Sequence, residues 1–140
     1  MKPKILFITV GVRDLERSLS FYRDGLGMPT EGIIGQEFEH GAVAFFDLSG
    51  GLKLALWSQA DIAHDTGLPV QPVSPTAVTI GHNVTRPDEV DQCMMDAVRA
   101  GAEVIKPAAA TPTTSEALTG TFGKLSRTRT CFRWRIEPAC

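Results

Sequence analysis

The sequence predicts an α+β fold built from two similar halves, and three observations predict it. Ile8-Thr9-Val10-Gly11-Val12-Arg13-Asp14-Leu15 is echoed by Val78-Thr79-Ile80-Gly81-His82-Asn83-Val84. Each run leads into a segment with apolar residues at helical spacing, Ser18-Leu19-Ser20-Phe21-Tyr22 in the first half and Asp88-Glu89-Val90 onward in the second. Each segment stops at glycine, in Gly25-Leu26-Gly27 and in Ala100-Gly101-Ala102. A strand feeding a helix, repeated at about half the chain, describes two βα-led modules. The expected division is one domain over 1–140, with module 1 at about 1–58, a linker at about 59–75 and module 2 at about 76–140.

Residues 4–11 alternate around Ile, Phe, Val and Thr and predict the first strand. Asp14 caps a helix over about 14–25, whose Leu15, Leu19, Tyr22 and Leu26 recur at helical spacing. Gly25 and Gly27 end it. Ile33-Ile34 with 36–39 suggests a second strand. Residues 42–48 and 52–57 are a hairpin around Ser49-Gly50-Gly51. Residues 59–75 carry Asp61, His64, Asp65, Gly67, Pro69, Pro72 and Pro75, and predict a linker rather than a packed element. A strand at 76–84 precedes a helix over about 87–100, with Pro87 in its first turn. Val90, Met94, Ala97 and Val98 form its apolar face. Val104-Ile105 is a short strand ended by Pro107, and Phe132-Arg133-Trp134-Arg135-Ile136-Glu137 alternates as the last strand.

Bulk composition narrows the function. Apolar residues make up 43% and charged residues 21%, as in an ordinary globular domain. A net charge of −2 offers nothing to nucleic acid. No apolar run reaches the roughly 20 residues a membrane span needs. Lys2 and Lys4 before Ile5-Leu6-Phe7-Ile8 faintly imitate a signal peptide, but charged Arg13-Asp14-Leu15-Glu16-Arg17 follows at once. Cys93, Cys131 and Cys140 are unclustered, so the expected compartment is the reducing cytoplasm. Gly50-Gly51 is a turn rather than a phosphate cradle, and no nucleophile elbow or carboxylate pair is present.

Val12-Arg13-Asp14-Leu15-Glu16-Arg17-Ser18-Leu19-Ser20-Phe21-Tyr22 followed by Gly25-Leu26-Gly27 resembles the opening of the vicinal oxygen chelate superfamily. That group includes glyoxalase I, the bleomycin-resistance proteins and the extradiol dioxygenases. The likeness covers 4–58 and 76–107. It implies paired βαβββ modules whose mixed sheets curl around one cleft, and a homodimer or an internally paired monomer; the expectation here is a homodimer.

Metal-using members place one ligand on each of four strands facing the cleft. Anchored on the valine before each helix, those positions fall on Phe7, Ala55, Thr79 and Arg135. A phenyl, a methyl and a guanidinium give no lone pair, and a lone threonine hydroxyl is a poor ligand. A slip of two residues keeps the same strand face. It enlarges the cleft sets to Ile5, Phe7, Thr9 and Gly11; Lys53, Ala55 and Trp57; Thr79, Gly81 and Asn83; Arg133, Arg135 and Glu137. Only Glu137 among these is a good metal donor, so no metal and no cofactor are expected.

The expected function is therefore a metal-free small-molecule-binding protein of the glyoxalase/bleomycin-resistance type, sequestering a small, planar, anionic ligand. Phe7, Thr9, Trp57, Thr79 and Arg135 would line its cleft. Phe7 and Trp57 offer π-faces, although Trp57 suits a core or dimer interface equally well. Arg135 offers a bidentate fork for an anion, against a surface pair with Glu137 or Glu103. The alternatives are a glyoxalase-like lyase or isomerase, or a dioxygenase, using a divalent metal, and a structural partner with a vestigial cleft. By strand parity His82 faces away from the cleft, while His40 and His64 sit beside turn residues and are expected to be solvated.

Family members usually carry Asp-Pro-Asp-Gly before the last strand, where this chain has Ser126-Arg127-Thr128-Arg129-Thr130-Cys131. One permitted coding of Leu125–Thr130, read from its third base, gives Phe-Gln-Asp-Pro-Asp and the first base of a glycine codon. Residues 123–131 therefore read either as a local frameshift or as a basic surface loop.

Overall fold

The computed structural model describes residues 4–72, 80–84, 86–104 and 129–133. The first module is complete. Strand β1 (Phe7–Val12) leads to helix α1 (Leu15–Ser20), then β2 (Thr30–Ile34), β3 (Val43–Asp47) and β4 (Lys53–Ser58). They form a four-stranded open sheet in the order β1-β4-β3-β2. β1 runs parallel to β4, and the other pairs are antiparallel. The module is thus βαβββ and the fold mixed α+β, as the sequence predicts.

α1 begins where Asp14 accepts a hydrogen bond from the Arg17 amide at 2.9 Å. It continues as one π-helical turn, Phe21–Gly25. Val10, Val12, Ala44, Phe46, Leu54 and Leu56 cover one sheet face and pack against Leu19, Phe21 and Tyr22. Tyr22 and Phe46 are fully buried with ring centroids 5.5 Å apart. Alternation along each strand sends the other residues of the sheet to its opposite face.

β4 runs directly into helix α2 (Gln59–Thr66), where the sequence predicts a linker. The physical signals are local. Ser58 accepts from the Ala60 and Asp61 amides at 3.1 and 3.4 Å, and Gly67 closes the helix at φ 70°. α2 lies over Gly11, where an added Cβ would stand 3.2 Å from both Gln59 and Ile62.

Of the second module, β5 (Gly81–Val84), helix α3 (Pro87–Arg99) and β6 (Arg129–Arg133) are described. β5 and β6 pair antiparallel, and α3 packs on β6. The Glu89 carboxylate accepts from the Arg86 amide at 2.9 Å, closing the first turn of α3. Three boundaries differ from expectation. Residues 36–39 form turns rather than strand; Val104 is not in a strand; β6 begins at Arg129, inside the stretch that reads as a frameshift or a basic surface loop. Ile105, residues 76–79 of the expected 76–84 strand and Trp134–Glu137 lie outside the described residues.

Candidate functional site

The face of the four-stranded sheet opposite α1 is built in rows by strand register. Phe7 stands beside Lys53 and Lys53 beside Asp47; Thr9 beside Ala55 and Ala55 beside Phe45; Gly11 beside Trp57 and Trp57 beside Val43. The two ends of this face differ. The Gly11–Trp57 end is covered by α2, and the Phe7–Lys53 end opens into a cavity of about 350 Å³.

Phe7, Phe45 and Ile34 give the cavity its apolar wall, and Glu31, Asp47 and Lys53 its charged rim. Phe7 is 57% exposed, so its ring is available to a ligand rather than committed to the core. It meets Phe45 edge-on, with centroids 6.3 Å apart and planes at 75°. β2 reaches this cavity through a register shift between Thr30 and Ile33. The Thr30 hydroxyl donates to the Phe45 carbonyl at 2.6 Å and accepts from the Gly32 amide at 3.1 Å. Gly32 sits at φ 90°, a backbone that suits glycine, and lines the cavity beside Glu31.

Lys53 Nζ lies 2.6 Å from Asp47 Oδ1. That hydrogen bond, and then the Asp47 charge, hold the ammonium above its ordinary value, with desolvation opposing and Glu31 adding in the same direction. The rim therefore has one satisfied cation and two carboxylates.

Trp57 belongs to the other end. Its indole Nε1 donates to the His40 carbonyl at 3.1 Å. The His40 Nδ1 is 2.7 Å from Asp61 Oδ1, and its ring stacks on His64 at 3.9 Å. His40 holds a left-handed φ of 62°. His40 is thus engaged by Asp61 and by the ring of His64, not simply solvated as the sequence suggests, while His64 stays exposed. His82 is exposed on β5.

Of the five residues expected to line the cleft, Phe7 lines the cavity, Thr9 is exposed on the same face one row away, and Trp57 shares the face at its covered end. Thr79 and Arg135 lie outside the described residues. Phe45, Ile34 and Glu31 were not foreseen. The parity of β3 against β4 would have found Phe45, whose partner is Ala55.

The sheet positions where metal-using relatives would need donors present Phe7 on β1 and Ala55 on β4. Neither fits a divalent cation. Among the described residues no three His, Cys, Asp or Glu side chains gather where a metal could be held.

The sequence model of the Glyoxalase/Bleomycin resistance protein/Dioxygenase superfamily matches residues 4–124. Among solved structures, the chain is similar to a glyoxalase-related enzyme from Fulvimarina pelagi, 29% identical over 79% of this chain and 73% of that one, with a TM-score of 0.62. It is similar to a glyoxalase/bleomycin resistance protein/dioxygenase from Nocardioides, 27% identical over 80% and 71%, with a TM-score of 0.59. A lactoylglutathione lyase from Agrobacterium tumefaciens, 21% identical over 80% of both chains with a TM-score of 0.51, shares the fold. No protein of curated function matches the sequence.

Proposed function

The chain belongs to the glyoxalase/bleomycin resistance protein/dioxygenase superfamily, and from that premise we propose that it is a metal-free small-molecule-binding member, sequestering a flat ligand on the open face of its sheet. The observation that carries this reading is the exchange of donors for apolar walls. Where a metal site would need lone pairs, β1 and β4 offer a ring and a methyl, and Phe45 adds a second ring beside a cavity of about 350 Å³. A concave apolar site with a few polar groups at its rim suits a small organic molecule. Thr9 extends the same face, and Thr79 and Arg135 would complete the cleft from the second module, with Arg135 as the anchor for an acidic group.

The runner-up is a metal-dependent lyase, isomerase or dioxygenase, favoured by the likeness to the Fulvimarina pelagi glyoxalase-related enzyme. Elemental analysis of purified protein separates the two. The binding reading expects no stoichiometric zinc, nickel, manganese or iron, together with a thermal shift from flat aromatic compounds, since a ligand of the native state raises its stability. One tightly held metal per chain refutes it.

The proposal also takes the protein as a cytoplasmic homodimer. No helix among the described residues is long and apolar enough to cross a membrane. Ile5 and Leu6 just before β1 and Ile8 within it are exposed, and β1 is an edge of the sheet among the described residues, which invites a partner. Light scattering at micromolar concentration checks the dimer; a monomer there refutes it.

A further inference from the structure

We propose that the cavity beside β1 selects a flat ligand that carries a positively charged amine. The inference rests on the reading of this face as a small-molecule site and names the chemistry of its ligand. The argument begins with the rim. Lys53 is the cavity's only cation among the described residues, and Asp47 already engages it at 2.6 Å. An incoming anion must compete with Asp47 for that ammonium and also approach Glu31. An incoming ammonium meets the opposite situation. Glu31 lies exposed on the rim, where its charge favours the Lys53 ammonium without forming a direct ion pair among the described residues. The net charge of the three rim groups is −1.

The wall adds a second, independent preference. Phe7 and Phe45 both line the cavity and meet at 75°, so they present differently oriented rings to a ligand there. A ring face carries the negative part of the aromatic quadrupole and attracts a cation placed over it. An aromatic body packed against Ile34 and one ring would leave a short aminoalkyl arm near Glu31. A bare metal ion fits poorly, because no three donors gather there.

The test uses three naphthalene probes of one shape: 2-(1-naphthyl)ethylamine, 2-(1-naphthyl)ethanol and 1-naphthylacetate. Each is titrated calorimetrically into the full chain at pH 7 and low salt. The amine should bind about three- to fivefold more tightly than the alcohol, the range expected for an exposed ion pair with a ring contact. Glu31→Gln should erase that preference without weakening the alcohol, and added salt should shrink it. Glu31 is exposed, so its replacement leaves the fold intact. Equal affinities, or a preference that survives Glu31→Gln, overturn the amine assignment while leaving the small-molecule site standing. If none of the three probes binds, the site itself is wrong and both proposals fall.

Discussion

Replacing Gly25 by alanine tests how the two modules are joined. Gly25 ends the π-helical turn after α1, and Ala100 caps α3. A Cβ built on Gly25 would stand 2.3 Å from the Ala100 Cβ and 3.2 Å from its Cα. Carbon atoms in contact prefer roughly 3.5–4.0 Å, so the two helix ends must separate by more than an ångström. Overpacking of this kind costs about 1–3 kcal/mol. An opposing effect is present. Gly25 does not occupy the left-handed region, so alanine fits its backbone and restricts the unfolded chain, a gain of about 0.4–1 kcal/mol. The expected net loss is about 0–2.6 kcal/mol, centred on about 1 kcal/mol. Urea unfolding should show a lower midpoint at unchanged slope, which marks a change of stability rather than of exposed surface. Ala100→Gly removes the colliding methyl. In that background Gly25→Ala should cost less by about 1 kcal/mol or more, a direct coupling between contacting residues. If Gly25→Ala stabilises the protein, or costs the same with and without the Ala100 methyl, the close approach of α1 and α3 is not as described.

Arg135→Ala should weaken binding of an acidic aromatic ligand about ten- to a hundredfold, the loss of one charge-assisted contact, and leave its neutral amide unaffected; calorimetry on the pair checks this. An unchanged preference returns Arg135 to the surface. Asp47→Asn should lower stability slightly near neutral pH, and that effect should vanish on the alkaline side. Asp47 raises the Lys53 value in the folded chain, so the pair's contribution is fully present below the ordinary lysine value of about 10.4 and is lost as pH rises through the raised one. The small gap between wild-type and variant urea midpoints at about pH 8 should therefore close as pH rises past the ordinary lysine range; a constant gap contradicts the coupling. Reading the coding DNA on both strands decides the status of residues 123–131. The frameshift requires codons for Leu125–Thr130 compatible with Phe-Gln-Asp-Pro-Asp in the shifted frame, and any incompatible codon leaves a true basic loop.

The first module was readable because its signals agree. Asp14 is a helix cap, the apolar residues of α1 recur at one spacing, and Ser49-Gly50-Gly51 separates two alternating runs. α2 was missed because a prolonged scatter of Pro69, Pro72 and Pro75 outweighed a shorter signal inside it. Ser58 before Gln59 and Gly67 after Thr66 are a helix start and stop eight residues apart, and they govern only their own turns. Gly25 shows the limit of a correct reading. The helix ends there, but Gly27 is the residue with the left-handed φ, 68°, while Gly25 must be small because Ala100 presses against it. Local pattern gives no warning of a contact made by a residue seventy-five positions away. The family match ends at residue 124, at the edge of the basic stretch where the family turn is absent. β6 nevertheless runs through Arg129–Cys131.

The site divides along the same line between local parity and long-range company. Parity alone puts Phe7, Thr9, Lys53, Ala55 and Trp57 on one face, because a strand must alternate and β1 pairs β4 in register. Parity says nothing about which part of that face is covered. α2 and the His40 carbonyl take the Trp57 end, and the bulge at Gly32 turns β2 toward the Phe7 end. Two aromatic residues that look equivalent in the sequence therefore acquire different work. The indole of Trp57 spends its only donor on His40 and holds the turn between β2 and β3. Phe7 has no polar atom to satisfy and remains half open beside Phe45. If a flat ligand binds on this sheet, Phe7 and Phe45 should carry its contact, and Trp57 should act by keeping the covered end closed.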